Sequence, residues 1–97
     1  MKEISISELA GTFAENKDVA KKIREGTLLP SLMKGEEVII DFKDVESATQ
    51  SFIHALISDL IRRYGSGVLD KLIFRNCNNN VQKIIIMVSD YMQESEA

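Results

Sequence analysis

The sequence predicts a small α/β domain: three to four strands, the later ones mostly parallel, with helices between them. Three observations carry this. A continuously apolar run, Val38-Ile39-Ile40, is bounded by acids and polar residues. It suits a central strand covered on both faces. The segment 53–64 places Ile53, Leu56, Ile57, Leu60, Ile61 and Tyr64 at three- and four-residue steps, which is an amphipathic helix. A second apolar run, Leu72-Ile73-Phe74, follows that helix, and helices between strands favour parallel pairing through right-handed crossovers.

The elements follow in order. Lys2 to Ser7 alternates polar and apolar residues and reads as a half-buried strand with Ile4 and Ile6 on one face. A turn or short helix opens near Ser7. Asp18 is the expected N-cap of a helix carrying Val19 and Ile23. Gly26 and Pro30 leave two readings beyond it. Either one helix ends near Gly26 and another begins near Pro30, or a single helix is kinked. Lys34-Gly35 stops it, and Glu37 to Phe42 is the clearest strand.

Lys43 to Gln50 is polar and reads as a loop, with Ser47 and Gln50 at capping-box spacing before the next helix. Gly65-Ser66-Gly67 ends that helix. Lys71 to Arg75 is a third strand and Asn76 to Asn80 a turn, where Asn79 and Gln82 form an N-cap pair. The last helix carries Val81, Ile84, Ile85, Val88 and Met92 on one stripe, and the tail from Gln93 is polar and frayed. The 97 residues suffice for one domain, spanning 1–97.

Composition narrows the function. A net charge of −3 gives no whole-molecule attraction for nucleic acid. The pairs Lys21-Lys22 and Arg62-Arg63 read as solvated helix faces. The few aromatics are not interleaved with basic residues, so no base-stacking platform is expected. No apolar stretch is long enough to span a bilayer, and no secretory leader is visible. The single cysteine, Cys77, forms no intramolecular disulfide and fits a cytoplasmic protein.

Enzymatic chemistry finds little support. The one histidine, His54, lacks a glycine-flanked nucleophile and reads as a partly exposed helix residue. One His and one Cys are too few soft ligands for structural zinc. Asp41, Asp44 and Glu46 gather at the end of the second strand, and read as solvated acids beside a helix start rather than a cation site. No phosphate-binding glycine loop occurs. Cys77 precedes a helix, a placement that can lower a thiol pKa, but it reads as unreactive. No catalytic residue, metal or cofactor is expected.

Two blocks carry a resemblance. Val38-Ile39-Ile40-Asp41-Phe42-Lys43-Asp44-Val45 leads into Ala48-Thr49-Gln50-Ser51-Phe52-Ile53-His54-Ala55-Leu56, and Leu72 to Asn78 leads into Val81. This pattern resembles the STAS domain of sulfate-transporter tails and bacterial anti-sigma factor antagonists, and more nearly a STAS-like family of uncharacterised bacterial proteins. The resemblance implies a regulatory protein-binding module. In anti-sigma factor antagonists, the second serine of an Asp-Ser-Ser-Gly motif at a helix start is phosphorylated by a histidine-kinase-like ATPase partner, which is then released.

Aligned through Asp41 and Val45, that serine falls on Ser51. Thr49, Gln50 and Phe52 replace the other motif residues. The resemblance therefore makes Ser51 a candidate phosphorylation site. It makes Asp44, Glu46, Ser47, Thr49, Gln50 and His54 a candidate surface for an anti-sigma-type kinase or similar ATPase. A phosphate there would add nearly two negative charges beside Asp44 and Glu46 and repel an acidic partner. An alternative implied by the family is a small-molecule or nucleotide sensor, using the loops after the parallel strands. A homodimer is a further expectation, through the first strand as an unpaired edge.

Overall fold

The computed structural model describes residues 1–96, with side-chain surroundings through Gln93. The elements in chain order are β1 (Lys2–Ser5), α1 (Ile6–Ala10), β2 (Phe13–Ala14), α2 (Lys17–Ile23), α3 (Leu29–Met33), β3 (Val38–Asp41), β4 (Ser47–Ala48), α4 (Gln50–Tyr64), β5 (Leu72–Arg75) and α5 (Asn79–Glu96). A π-helical turn, Arg24–Leu28, joins α2 to α3, and a 3₁₀ segment, Ser66–Lys71, joins α4 to β5.

The main sheet has the order β1-β3-β5, with both pairings parallel. Ile40 lies opposite Ile4 on one side and Phe74 on the other. The central place expected for the Val38–Ile40 strand is therefore met, and all three of those residues are buried.

This order has a consequence for layering. Both crossovers step the same way across the sheet. With the usual right-handed sense, both put their helices on one face. Ile4, Val38, Ile40 and Leu72 point to that face and join one core with Leu56, Leu60 and Val88. Ile39, of opposite parity, is buried but lies outside that core. Its face carries a charged strap: the Arg75 guanidinium reaches the Glu3 carboxylate at 3.3 Å, from β5 across to β1. The central strand is thus buried on both faces as expected, although the helices pack on one face only.

Several element boundaries differ from the sequence reading, each for a local reason. β1 ends at Ser5, whose hydroxyl accepts from the Glu8 amide and starts α1. Ile6 is therefore a helix residue, fully buried, rather than the end of a strand. Asn16, not Asp18, caps α2: its side-chain oxygen accepts from the amides of Asp18 and Val19 at 2.9 and 3.3 Å.

The chain is helical without a break from Lys17 to Met33, close to the single-helix reading. The Leu29 amide bonds back five residues to the Arg24 carbonyl. That wide turn precedes Pro30, which sits in the first turn of α3, where its missing amide costs least.

The polar stretch 43–50 also holds a strand. β4 pairs in parallel with β2, Phe13 opposite Ser47 and Ala14 opposite Ala48. Two-residue strands carry no periodicity, so the sequence pattern holds no signal for this second sheet. Thr49 caps α4, with its hydroxyl 3.1 Å from the Phe52 amide, so Ser47 is not the cap. Gly65, at φ 79, ends α4 in a conformation open to glycine. The start of α5 is capped by Asn78, whose side-chain oxygen accepts from Val81 at 2.9 Å, not by Asn79. The helix runs to Glu96, into the segment expected as a tail; Ala97 lies outside the described residues. No described helix is long and apolar enough to cross a membrane.

Candidate functional site

The C-terminal rim of the main sheet is where chemistry-bearing residues meet. A β-turn leaves β3: the Val45 amide donates to the Phe42 carbonyl at 3.0 Å, and Asp44 takes φ 66. Acidic and amide side chains tolerate that left-handed position better than bulky ones. Asn76 does the same after β5, at φ 58.

Two side-chain bridges then tie the loops together. The Asn76 amide donates to Asp41 Oδ1 at 3.0 Å. The Asn78 amide donates to the carbonyls of Val45 and Glu46 at 3.2 and 2.9 Å. The other end of Asn78 is the α5 cap, so one residue fixes both the 43–46 turn and the helix start. From the other side, the Glu46 amide donates to the Thr12 carbonyl at 2.9 Å, and the Thr49 amide to Ala14 at 2.9 Å.

The residues proposed as one surface fall into two recesses. Asp44 and Glu46 line an open recess of about 460 Å³ at the sheet rim, with Thr12, Phe42, Val45, Asn76 and Asn78. Gln50, Ser51 and His54 line a shallow groove of about 400 Å³ along the start of α4, completed by Lys17 and Ala55. Ser47 and Thr49 line neither. Ser47 is held in β4 and half-exposed, and the Thr49 hydroxyl is committed to its cap.

Ser51 is exposed in the first turn of α4, while its neighbours Phe52 and Ile53 are fully buried. The helix start is thus anchored by its apolar residues while its polar ones face outward. Contrary to the expected acidic setting, the charged neighbour lining the Ser51 groove is Lys17. Lys17 comes from the far side of the molecule in sequence, at the start of α2, and no local signal could have placed it there.

Electrostatics separates the two titrating groups of the rim. The Asn76 amide and the Lys43 backbone amide hold the Asp41 carboxyl below the usual carboxylate range. Burial, reinforced by Asp41, pushes the Cys77 thiol up. Both effects raise it, in keeping with the reading of Cys77 as unreactive. Among the described residues no group of three or more His, Cys, Asp or Glu side chains could hold a metal ion. Asp41 is turned to Asn76, and Asp44 and Glu46 line an open recess instead of converging.

The molecule defined by these features is a small parallel α/β domain, with helices on one sheet face and a polar, exposed helix start beside the sheet rim. Residues 19–82 match the family model described as the STAS-like domain of unknown function (DUF4325), and the chain belongs to that family. Comparison with curated proteins and with solved structures finds no match.

Proposed function

We propose that this STAS-like domain is a non-enzymatic regulatory module that binds a protein partner through the start of α4, and that phosphorylation of Ser51 controls the binding. One observation supports it most: Ser51 is exposed in the first turn of a fifteen-residue helix, in a groove shared with Lys17 and His54. A phosphate there meets free backbone amides and the positive end of the helix dipole. Lys17 adds a cation. The modified side chain would be drawn into the groove and change the shape a partner reads. A histidine-kinase-like ATPase is the class of partner that the resemblance implies.

The test is affinity capture from the source cells with the wild-type chain and with Ser51→Ala and Ser51→Asp. Mass spectrometry identifies the partner and any phosphate on Ser51. An ATPase held by the wild type and Ser51→Ala, and weakened about tenfold or more by Ser51→Asp, is the expected result. Equal capture by all three, with Ser51 unmodified, overturns the switch.

A second reading, ligand sensing, is favoured by the rim recess between Asp44, Glu46, Asn76 and Asn78. The strand order weighs against it. Open α/β sheets bind ligands where crossovers diverge, and here both crossovers step the same way. A thermal-shift screen with nucleotides and anions decides: stabilisation that is lost in Asn76→Ala supports sensing.

A further inference from the structure

The outer side of α5 carries apolar residues that the fold itself does not bury. Val81, Ile85, Val88 and Met92 turn inward and are buried. Outside that stripe, Ile86 and Met87 are 58% and 49% exposed near the middle of an eighteen-residue helix, Ile86 also bordering a recess with Phe74 and Cys77. They are flanked by Lys83 and Asp90, both exposed and without an ionic partner among the described residues.

The spacing of these four residues is symmetric. Lys83 and Asp90 lie at equal distances on either side of the midpoint between Ile86 and Met87. In an antiparallel pair of identical helices related by a two-fold axis, residues equidistant from that axis face each other. With the axis at this midpoint, Ile86 of one copy meets Met87 of the other. Lys83 meets Asp90 twice, once on each side. The steps from 83 to 86 or 87 and on to 90 follow a helix–helix seam, with apolar residues inside and opposite charges at the ends.

We infer that α5 is a self-association face, and that its occupant is a second copy of this chain docked antiparallel. The charge order makes this face complementary to itself, and only in the antiparallel sense. A parallel pairing in register would set Lys83 on Lys83 and Asp90 on Asp90, whereas the antiparallel one makes two opposite-charge pairs around an apolar centre. The seam spans about two helical turns, about 10 Å. That falls short of a standard-sized interface, so association is expected in the micromolar range or weaker.

Sedimentation equilibrium of the full chain tests it, over a concentration series reaching about tenfold above the micromolar range. The wild type should show a monomer–dimer equilibrium. Lys83→Glu alone and Asp90→Lys alone should each weaken it about tenfold, since each reversal spoils two symmetry-related pairs. The double variant Lys83→Glu with Asp90→Lys should restore it. Circular dichroism confirms that each variant is folded. A wild type that stays monomeric throughout overturns the inference and leaves the face to some other partner. Dimerisation that all three variants retain unchanged also overturns it, by placing the contact elsewhere. Capture results at Ser51 are read separately, so failure of one proposal does not touch the other.

Discussion

The Asn76 side-chain amide donates to Asp41 Oδ1 at 3.0 Å, joining the C-terminal ends of β5 and β3. The Lys43 backbone amide donates to the same oxygen at 2.9 Å, closing an Asx-type turn. Both donors favour the ionised carboxylate, so the Asp41 pKa lies below its ordinary value. A depressed carboxylate stabilises the fold above its unfolded pKa of about 3.9, and that contribution is lost as pH falls through the folded value. Asn76→Ala should therefore raise the Asp41 pKa toward the ordinary value. Side-chain carboxyl NMR titration reads it directly; an unmoved Asp41 would show that the Lys43 amide alone sets the shift.

Asn78 works at three points, donating to two loop carbonyls and accepting from the Val81 amide. Asn78→Ala removes a helix cap and both bridges together, so a loss of about 1–3 kcal/mol is expected. Asn79→Ala, one residue on, removes no recorded side-chain bond and should cost under about 0.5 kcal/mol. Urea denaturation of the two variants makes the comparison, and equal losses would refute the assignment of the cap.

Arg24 and Asp59 provide an asymmetric pair. The Arg24 side chain is only 14% exposed, and its guanidinium donates to the Ala55 carbonyl at 2.7 Å. Asp59 stands 3.8 Å from Arg24, Arg62 and Arg63, and is itself more exposed. Long, partly solvated ion pairs contribute little. Arg24→Met should thus destabilise by about 1–2 kcal/mol, through the lost bond between the π-helical turn and α4. Asp59→Asn should cost less than about 1 kcal/mol. Thermal melts of both variants that reversed this order would show that charge, not the carbonyl bond, secures the turn.

Cys77 should be a sluggish nucleophile. Its thiol is pushed up first by burial and then by Asp41, so less thiolate is present near neutral pH than in a free cysteine, whose pKa is about 8.5. Alkylation by iodoacetamide at mildly alkaline pH should run slower than for a cysteine-containing peptide. Asp41→Asn should speed it only slightly, because burial is the larger cause. Rapid labelling of the folded wild type would contradict the packing of Cys77 against the core.

The sequence by itself determined the class of fold, the central strand, the two long helices and the position of Ser51 at a helix start. Those features rest on dense local signals: an unbroken apolar run at Val38–Ile40 and repeats of three and four residues from Ile53 to Ile61. Caps were legible only to within a residue or two, because several neighbouring polar side chains could serve and tertiary contacts choose among them. Asn78 wins over Asn79 by reaching Val45 and Glu46.

The β2–β4 pairing, the placing of both crossovers over one sheet face, and the grouping of Lys17 with Ser51 and His54 were decided only by the tertiary structure. Each depends on segments far apart in the chain. The apolar pattern reports how much of a residue is buried, but not which distant segment covers it.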